Sequence, residues 1–181
     1  MKRRAARAFV TAALAAAVLT GASACGFNAQ TLQPYTQSHG VNVDSRTDPD
    51  TDLPLVKVRN LMVVSKEDGS GFLVGAMFSE PGDKLTDVSI VTKKVDGNAG
   101  QPVKVDLAEP IEIPAGGTAQ LFGDQTVTAT GADLRMGFSV EITMTFEEAG
   151  DVTVTAPVVD GNLPDFETMS PEPAAEGNGQ Q

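Results

Sequence analysis

Residues 137–146, GFSVEITMTF, alternate strictly between apolar and polar side chains. Successive side chains of a β-strand point to opposite faces, so this spacing predicts a strand with one buried face. A helix would scatter the same apolar residues around its surface. The side chains predicted to face the core are Phe138, Val140, Ile142, Met144 and Phe146.

Runs rich in β-forming residues recur from residue 55 to residue 159, separated by turn sequences such as DGS, EPGD, DGNAGQ and EEAGD. Together they give about eight or nine short strands, and only GADLRMG, residues 131–137, suggests a single helical turn. Many short strands with regular turns are typical of sandwiches. The sequence therefore predicts an all-β domain at 55–159, an antiparallel, Ig-like β-sandwich.

The N-terminus has the layout of a secretory signal. Four cations lie within the first seven residues, an apolar run follows, and three small residues precede Cys25, the chain's single cysteine. Small residues ending in Cys resemble a bacterial lipobox, which implies a signal peptide at 1–24 and lipidation of Cys25, including palmitate. The alternative is an ordinary signal peptide with an unmodified cysteine. The lipobox interpretation places the protein on the extracytoplasmic face of the cell membrane, held by its lipid anchor.

The segments on either side of the predicted domain are polar and lack periodicity. Residues 25–54 are predicted to be a flexible tether, and residues 160–181, rich in Pro, Glu and Gly, a disordered tail. The formal net charge is −11, and cleavage after residue 24 would remove four cations and no anion, leaving −15. Nucleic acid is excluded as a partner because phosphate binding needs a basic surface.

Residues that could carry chemistry are few. The only histidine, His39, lies in the predicted tether, and with one lipidated cysteine no nucleophile–base pair can be assembled, so no enzyme is predicted. Thioethers bind Cu(I), but strand methionines more often fill cores. Met136 is the methionine of the domain predicted to be most exposed, whereas three others lie in predicted strands: Met62, Met77 and Met144.

Two stretches in order, IEIPAGGTAQL and GADLRMGFSVEITMTFEEAGDVTVTAPV, suggest a family. They resemble the PCu(A)C copper chaperones and the LpqE-like lipoproteins of actinobacteria, over about residues 55–159. The resemblance implies a cupredoxin-like β-sandwich. In these chaperones two His and two Met hold copper, and one His-x-Met pair lies on the loop that corresponds here to FGDQTVTATG, residues 122–131.

The copper ligands of the family find no match in this loop. Counted back from Gly131 the pair falls on Thr126 and Thr128, and counted forward from Leu121 it falls on Val127 and Ala129. No cofactor is therefore predicted, and the chain is expected to bind a protein partner in the cell envelope. The family implies assembly of a respiratory complex or a copper enzyme as the setting. The alternative is a copper carrier with non-standard ligands such as Met136, Met169, His39 or carboxylates.

Overall fold

The computed structural model describes residues 39–123 and 126–169. These residues confirm the all-β prediction: they form ten strands and no helix. Within the same ranges no helix is long and apolar enough to cross a membrane. The strands are β1 (Val41–Asp44), β2 (Val56–Glu67), β3 (Ser70–Ser79), β4 (Asp83–Lys93), β5 (Ala99–Asp106), β6 (Ile111–Ile113), β7 (Gly117–Gln120), β8 (Thr128–Thr130), β9 (Ser139–Phe146) and β10 (Gly150–Asp160).

Seven of the strands close into a barrel, in the order β2, β10, β9, β4, β5, β8, β3 and back to β2. A ring with an odd number of strands cannot be antiparallel throughout, and β2 and β10 form the parallel pair. The predicted sandwich differs from this arrangement because two strands change partner along their length. β10 leaves β9 after Pro157 and joins β2 from Val158, and β5 passes from β4 to β8. These crossings join the edges of what would otherwise be two sheets.

The sheet begins before residue 55, inside the predicted tether. β1 pairs antiparallel with β2, and an irregularity in its register lies between Val41 and Val43. Two asparagines hold this irregularity: Asn60 N donates to Asn42 Oδ1, and Gly40 N donates to Asn60 Oδ1, both at 2.9 Å. Gly40 is required here, because a Cβ would lie 2.4 Å from the backbone carbon of Asn60. The remainder of the tether, residues 25–38, lies outside the described residues.

The barrel interior follows the predicted alternation in β9 with one exception. Val140, Ile142, Met144 and Phe146 are buried, but Phe138 is 42% exposed. The prediction for Phe138 was wrong because β9 begins only at Ser139, after a turn in which Gly137 has a φ of +81°. Residues 131–137 form turns rather than a helical turn.

Leu134, in the segment before β9, belongs to the apolar core of the barrel, whereas Phe138 does not. The side chain of Leu134 is fully buried, and its carbonyl accepts from Gly69 N at 2.8 Å. Gly131 N in turn donates to Gly69 O at 3.0 Å, so the segment is tied to the turn between β2 and β3. This segment therefore covers the opening of the barrel.

Strand directions define two ends of the barrel. The upper end carries the β2–β3 turn (68–69), the β4–β5 turn (94–98) and residues 131–138. The lower end carries residues 45–55, 80–82, 114–116 and 147–149. The lower segments contain six carboxylates and one cation, whereas the upper segments contain three carboxylates and two cations. Of these two sets of segments, the lower set has the larger excess of negative charge.

A second apolar cluster, the outer cluster, covers the outside of β2 and β3. It consists of Met62, Val64, Phe72 and Phe166, with Met169 and Phe122 packed against it. Phe166 is 4% exposed although it belongs to the predicted tail, because the chain after β10 turns back across β2. Gly161 N donates to Ser65 O at 2.7 Å, and Lys66 Nζ donates to Glu167 O at 2.9 Å. The rest of the predicted tail, residues 170–181, lies outside the described residues.

Candidate functional site

The loop that the sequence singled out, the rim loop (residues 122–131), leads from β7 into β8 and includes that strand. Leu121 N donates to Gly75 O and Leu73 N donates to Val127 O, each at 2.9 Å, so the segment between β7 and β8 is hydrogen-bonded to β3 at both ends. Phe122 stacks on Phe72, with ring centroids 5.2 Å apart. The loop is therefore joined to the outer cluster. Its residues 124 and 125 lie outside the described ranges.

The four candidate ligand positions of the rim fall into two groups. Val127 and Ala129 are buried in the barrel interior and belong to its apolar core. Thr126 and Thr128 are half-buried. Thr128 lines a cleft of about 310 Å³ between β8 and the β2–β3 turn, together with Lys66, Ser70 and Phe72 among others. A hydroxyl and apolar side chains do not form a soft-metal site.

The methionines of the strands are core residues, as predicted: Met62, Met77 and Met144 are at most 2% exposed. Met136 is half-buried in the turns before β9. Met169 is also half-buried, and it packs against the outer cluster. The structure thus brings Met169, but not Met136, to the outside of β2 and β3.

His39 lies at the same outer cluster. Its Nε2 is 3.4 Å from Asp165 Oδ2, and its ring meets Phe166 edge-on at 5.1 Å between centroids. The sequence analysis placed this histidine in the predicted tether, and nothing in the local pattern marks this contact. Among the described residues no group of three or more His, Cys, Asp or Glu side chains could hold a metal. Cys25 lies outside these residues.

A second cleft, the hairpin cleft, lies at the upper end and was not predicted from the sequence. It has a volume of about 270 Å³. Its lining comes from the β4–β5 hairpin and from the segment before β9: Thr92, Lys93, Lys94, Val95, Gly100, Asp133, Arg135 and Phe138. Val95, at 92%, and Phe138 are two of the four exposed large apolar residues of the described chain.

Three cationic side chains line the hairpin cleft, and one of them has a partner. Lys93 Nζ is paired with Glu141 Oε2 at 2.7 Å. Only three cationic side chains of the described residues make no hydrogen bond, ion pair or ring contact: Lys94, Lys104 and Arg135. Two of these three line the cleft. An acidic chain therefore exposes apolar and unpaired cationic groups together.

Two pKa shifts follow from local hydrogen bonds at opposite ends of the barrel. At the lower end, the hydrogen bond to Glu112 and its charge, helped by Glu147, raise the pKa of Lys84. At the upper end, the backbone N–H and side chain of Asn98 lower the pKa of Asp96. The Asp96 carboxylate thereby closes the β4–β5 turn that presents Lys94 and Val95.

No family model and no curated protein matches this chain. Among solved structures, the apo PCuAC domain from PmoF1 is 20% identical with a TM-score of 0.48, over 66% of this chain and 99% of that one. The copper-bound PCuAC domain from PmoF2 is 21% identical with a TM-score of 0.43, over 59% and 93%. The apo PmoF2 PCuAC domain is 17% identical with a TM-score of 0.45, over 70% and 98%.

All three are PCuAC domains, the family that the sequence motifs resemble. With TM-scores below 0.5, the function of this chain has to be inferred from its own residues.

Proposed function

We propose that this protein is a non-enzymatic lipoprotein of the cell envelope, anchored to the membrane through Cys25, whose barrel binds a protein partner. The partner belongs to the assembly of a respiratory complex or a copper enzyme, the setting implied by the resemblance to copper chaperones. The anchor is supported by the position of the only cysteine directly after a signal-like sequence.

The observation that carries the protein-binding role is the composition of the rim loop. Where the copper chaperones that it resembles hold the metal, this chain has the half-buried Thr126 and Thr128, or Val127 and Ala129 in the core. Cu(I) prefers thioether and imidazole donors. The barrel therefore keeps the loop but has apolar and hydroxyl side chains where the metal ligands would be. Such a loop is better suited to contact with a protein than to binding of the metal.

A Cu(I) titration tests this role against copper carriage. The chain 26–181 competes with a chelator of known affinity, and we expect a Kd no tighter than about micromolar, equivalent to about −8 kcal/mol. Dissolved copper cannot reach the buried thioethers of Met62, Met77 and Met144 without opening the core. Tight one-to-one binding would overturn the proposal.

The anchor is tested separately. Changing Cys25 to Ser should release the protein into the medium or leave it unprocessed, whereas a variant that matures normally and stays in the membrane would contradict lipidation. The protein partner is then sought by chemical cross-linking in intact cells, with the Cys25→Ser chain as the matched control. A cross-linked protein seen only with the anchored chain supports a partner in the envelope.

A copper carrier with non-standard ligands is the second candidate, and one observation favours it. His39, Asp165 and Met169 all lie at or beside Phe166. Imidazole and thioether together are suitable donors for Cu(I). If the titration shows tight binding, His39→Ala and Met169→Leu should each weaken it, whereas Met136→Leu should not. Loss of binding in Met136→Leu alone would place the metal at the turn before β9.

A further inference from the structure

The upper end of the barrel differs from the rest of the molecule in two respects. Its hairpin cleft contains two of the three unpartnered cations of the described chain, Lys94 and Arg135. It is also lined by Phe138 and by the most exposed large apolar side chain of the described residues, Val95 at the apex of the β4–β5 hairpin. Exposed apolar groups beside unpaired cations are the combination that binds an anionic membrane surface.

We propose that the upper end of the barrel docks on the anionic phospholipid surface of the membrane. Lys94 and Arg135 bind phosphate headgroups at the hairpin cleft, while Val95 and Phe138 enter the interfacial layer. Docking orients the barrel, and it does not require acylation of Cys25. Docking on lipid goes beyond the proposed protein-binding role, because the lipid binds at the hairpin cleft and not at the rim loop.

The charge distribution favours this orientation. The lower-end segments carry six carboxylates and one cation, and the upper-end segments three carboxylates and two cations. An anionic membrane therefore repels the lower end more strongly, which favours the orientation with the upper end toward the lipid. A protein with so high a negative charge gains membrane contact only where its cations are local and unpaired. Lys93 should contribute less to membrane binding than Lys94, because it is already paired with Glu141.

An anchor at Cys25 would assist docking. The thirteen residues 26–38 lead from Cys25 to His39, the first described residue. A lipid anchor would therefore raise the local concentration of the hairpin cleft at the membrane.

The experiment uses the chain 26–181 with an N-terminal histidine tag on vesicles that contain a nickel-chelating lipid. This chain keeps its own core, since both apolar clusters consist of residues from 41 to 169 and the chain from Ser38 onward forms a compact unit. The tag replaces the lipid anchor, so the result does not depend on acylation. An environment-sensitive dye is attached at Val95→Cys or, as the matched control at the lower end, at Leu53→Cys.

On phosphatidylcholine vesicles containing phosphatidylglycerol, the dye at position 95 should shift to the blue and be quenched by brominated lipid, and the dye at position 53 should do neither. The double substitution Lys94→Gln/Arg135→Gln should lower the docked-to-free ratio about fivefold for each cation removed. Lys57→Gln/Lys104→Gln makes the same change in net charge outside the cleft and should have a smaller effect. Raising the salt concentration should release the docked end.

Three results would overturn the proposal: a dye at position 95 that stays in water, equal quenching at positions 95 and 53, or equal effects of the two double substitutions. The first of these would leave an acidic protein segment as the occupant of the hairpin cleft.

Discussion

His39 Nε2 lies 3.4 Å from Asp165 Oδ2, which joins a residue before β1 to a residue after β10. Both residues belong to segments whose sequences predict a tether and a tail. Phe166, next to Asp165, meets the imidazole edge-on and packs on Met62, Val64 and Phe72. The two ends of the described chain therefore form a cover over the outside of β2 and β3.

This cover predicts that Phe166 stabilises the domain although it lies outside the predicted domain boundary. Phe166→Ala should lower the free energy of unfolding by about 3 kcal/mol, because it removes an almost fully buried aromatic ring. Leu163→Ala, in the same segment but 45% exposed, should cost much less. Urea unfolding of both variants measures the difference. Equal small losses would mean that the cover contributes little to stability.

The sequence contained a signal for this cover that alternation alone does not reveal. Leu61, Met62, Val63 and Val64 are consecutive apolar residues in β2, and all four are buried. Leu61 and Val63 face the barrel interior, whereas Met62 and Val64 face the outer cluster. A continuous apolar run predicts a strand covered on both faces. It does not identify the covering residue, because Phe166 is a single aromatic in a polar, Pro- and Glu-rich segment.

Other parts of the structure depend on contacts between distant segments and could not be predicted locally. Nine of the ten strands correspond to runs that the pattern identified, because alternation and turn residues are local properties. Closure of the barrel depends on β10 changing partner between Pro157 and Val158. The hairpin cleft similarly requires residues 92–100 to meet residues 133–138. Neither segment carries a motif by itself.

The hydrogen bonds of the β4–β5 turn predict a lowered pKa for Asp96. Two hydrogen bonds from Asn98 favour the ionised form of Asp96 and lower its pKa below the usual value of 3.8. The stabilisation of the turn is therefore complete above pH 3.8 and is lost as the pH falls through the lower pKa of the folded state. A carboxyl-carbon NMR titration should give a midpoint below 3.8.

Asn98→Ala tests the cause of this shift. It removes the side-chain donor and leaves the backbone N–H, so the midpoint for Asp96 should rise only part of the way toward the usual value. A midpoint at or above that value in the unmodified protein would show that the turn hydrogen bonds do not form in solution.

The alternation placed Phe138 and Phe146 on one face, but the structure predicts different roles for them. Phe146 should contribute to stability and Phe138 to the function of the surface. Phe146 is 2% exposed and Phe138 is 42% exposed. Phe146→Ala should cost about 3–5 kcal/mol of unfolding free energy, as truncation of a buried aromatic does, and Phe138→Ala about 1 kcal/mol or less. Urea unfolding measures both, with an unchanged m-value as the check that the denatured state is the same.

Phe138→Ala should nevertheless reduce docking on anionic vesicles, because its exposed ring lies beside Lys94 and Val95 in the hairpin cleft. A variant that keeps its stability and loses docking would show that the exposed ring of Phe138 contacts the membrane and is not simply an incompletely buried core residue. If Phe138→Ala is as destabilising as Phe146→Ala, the side chain is packed inside the barrel and Leu134 does not cover the upper end by itself.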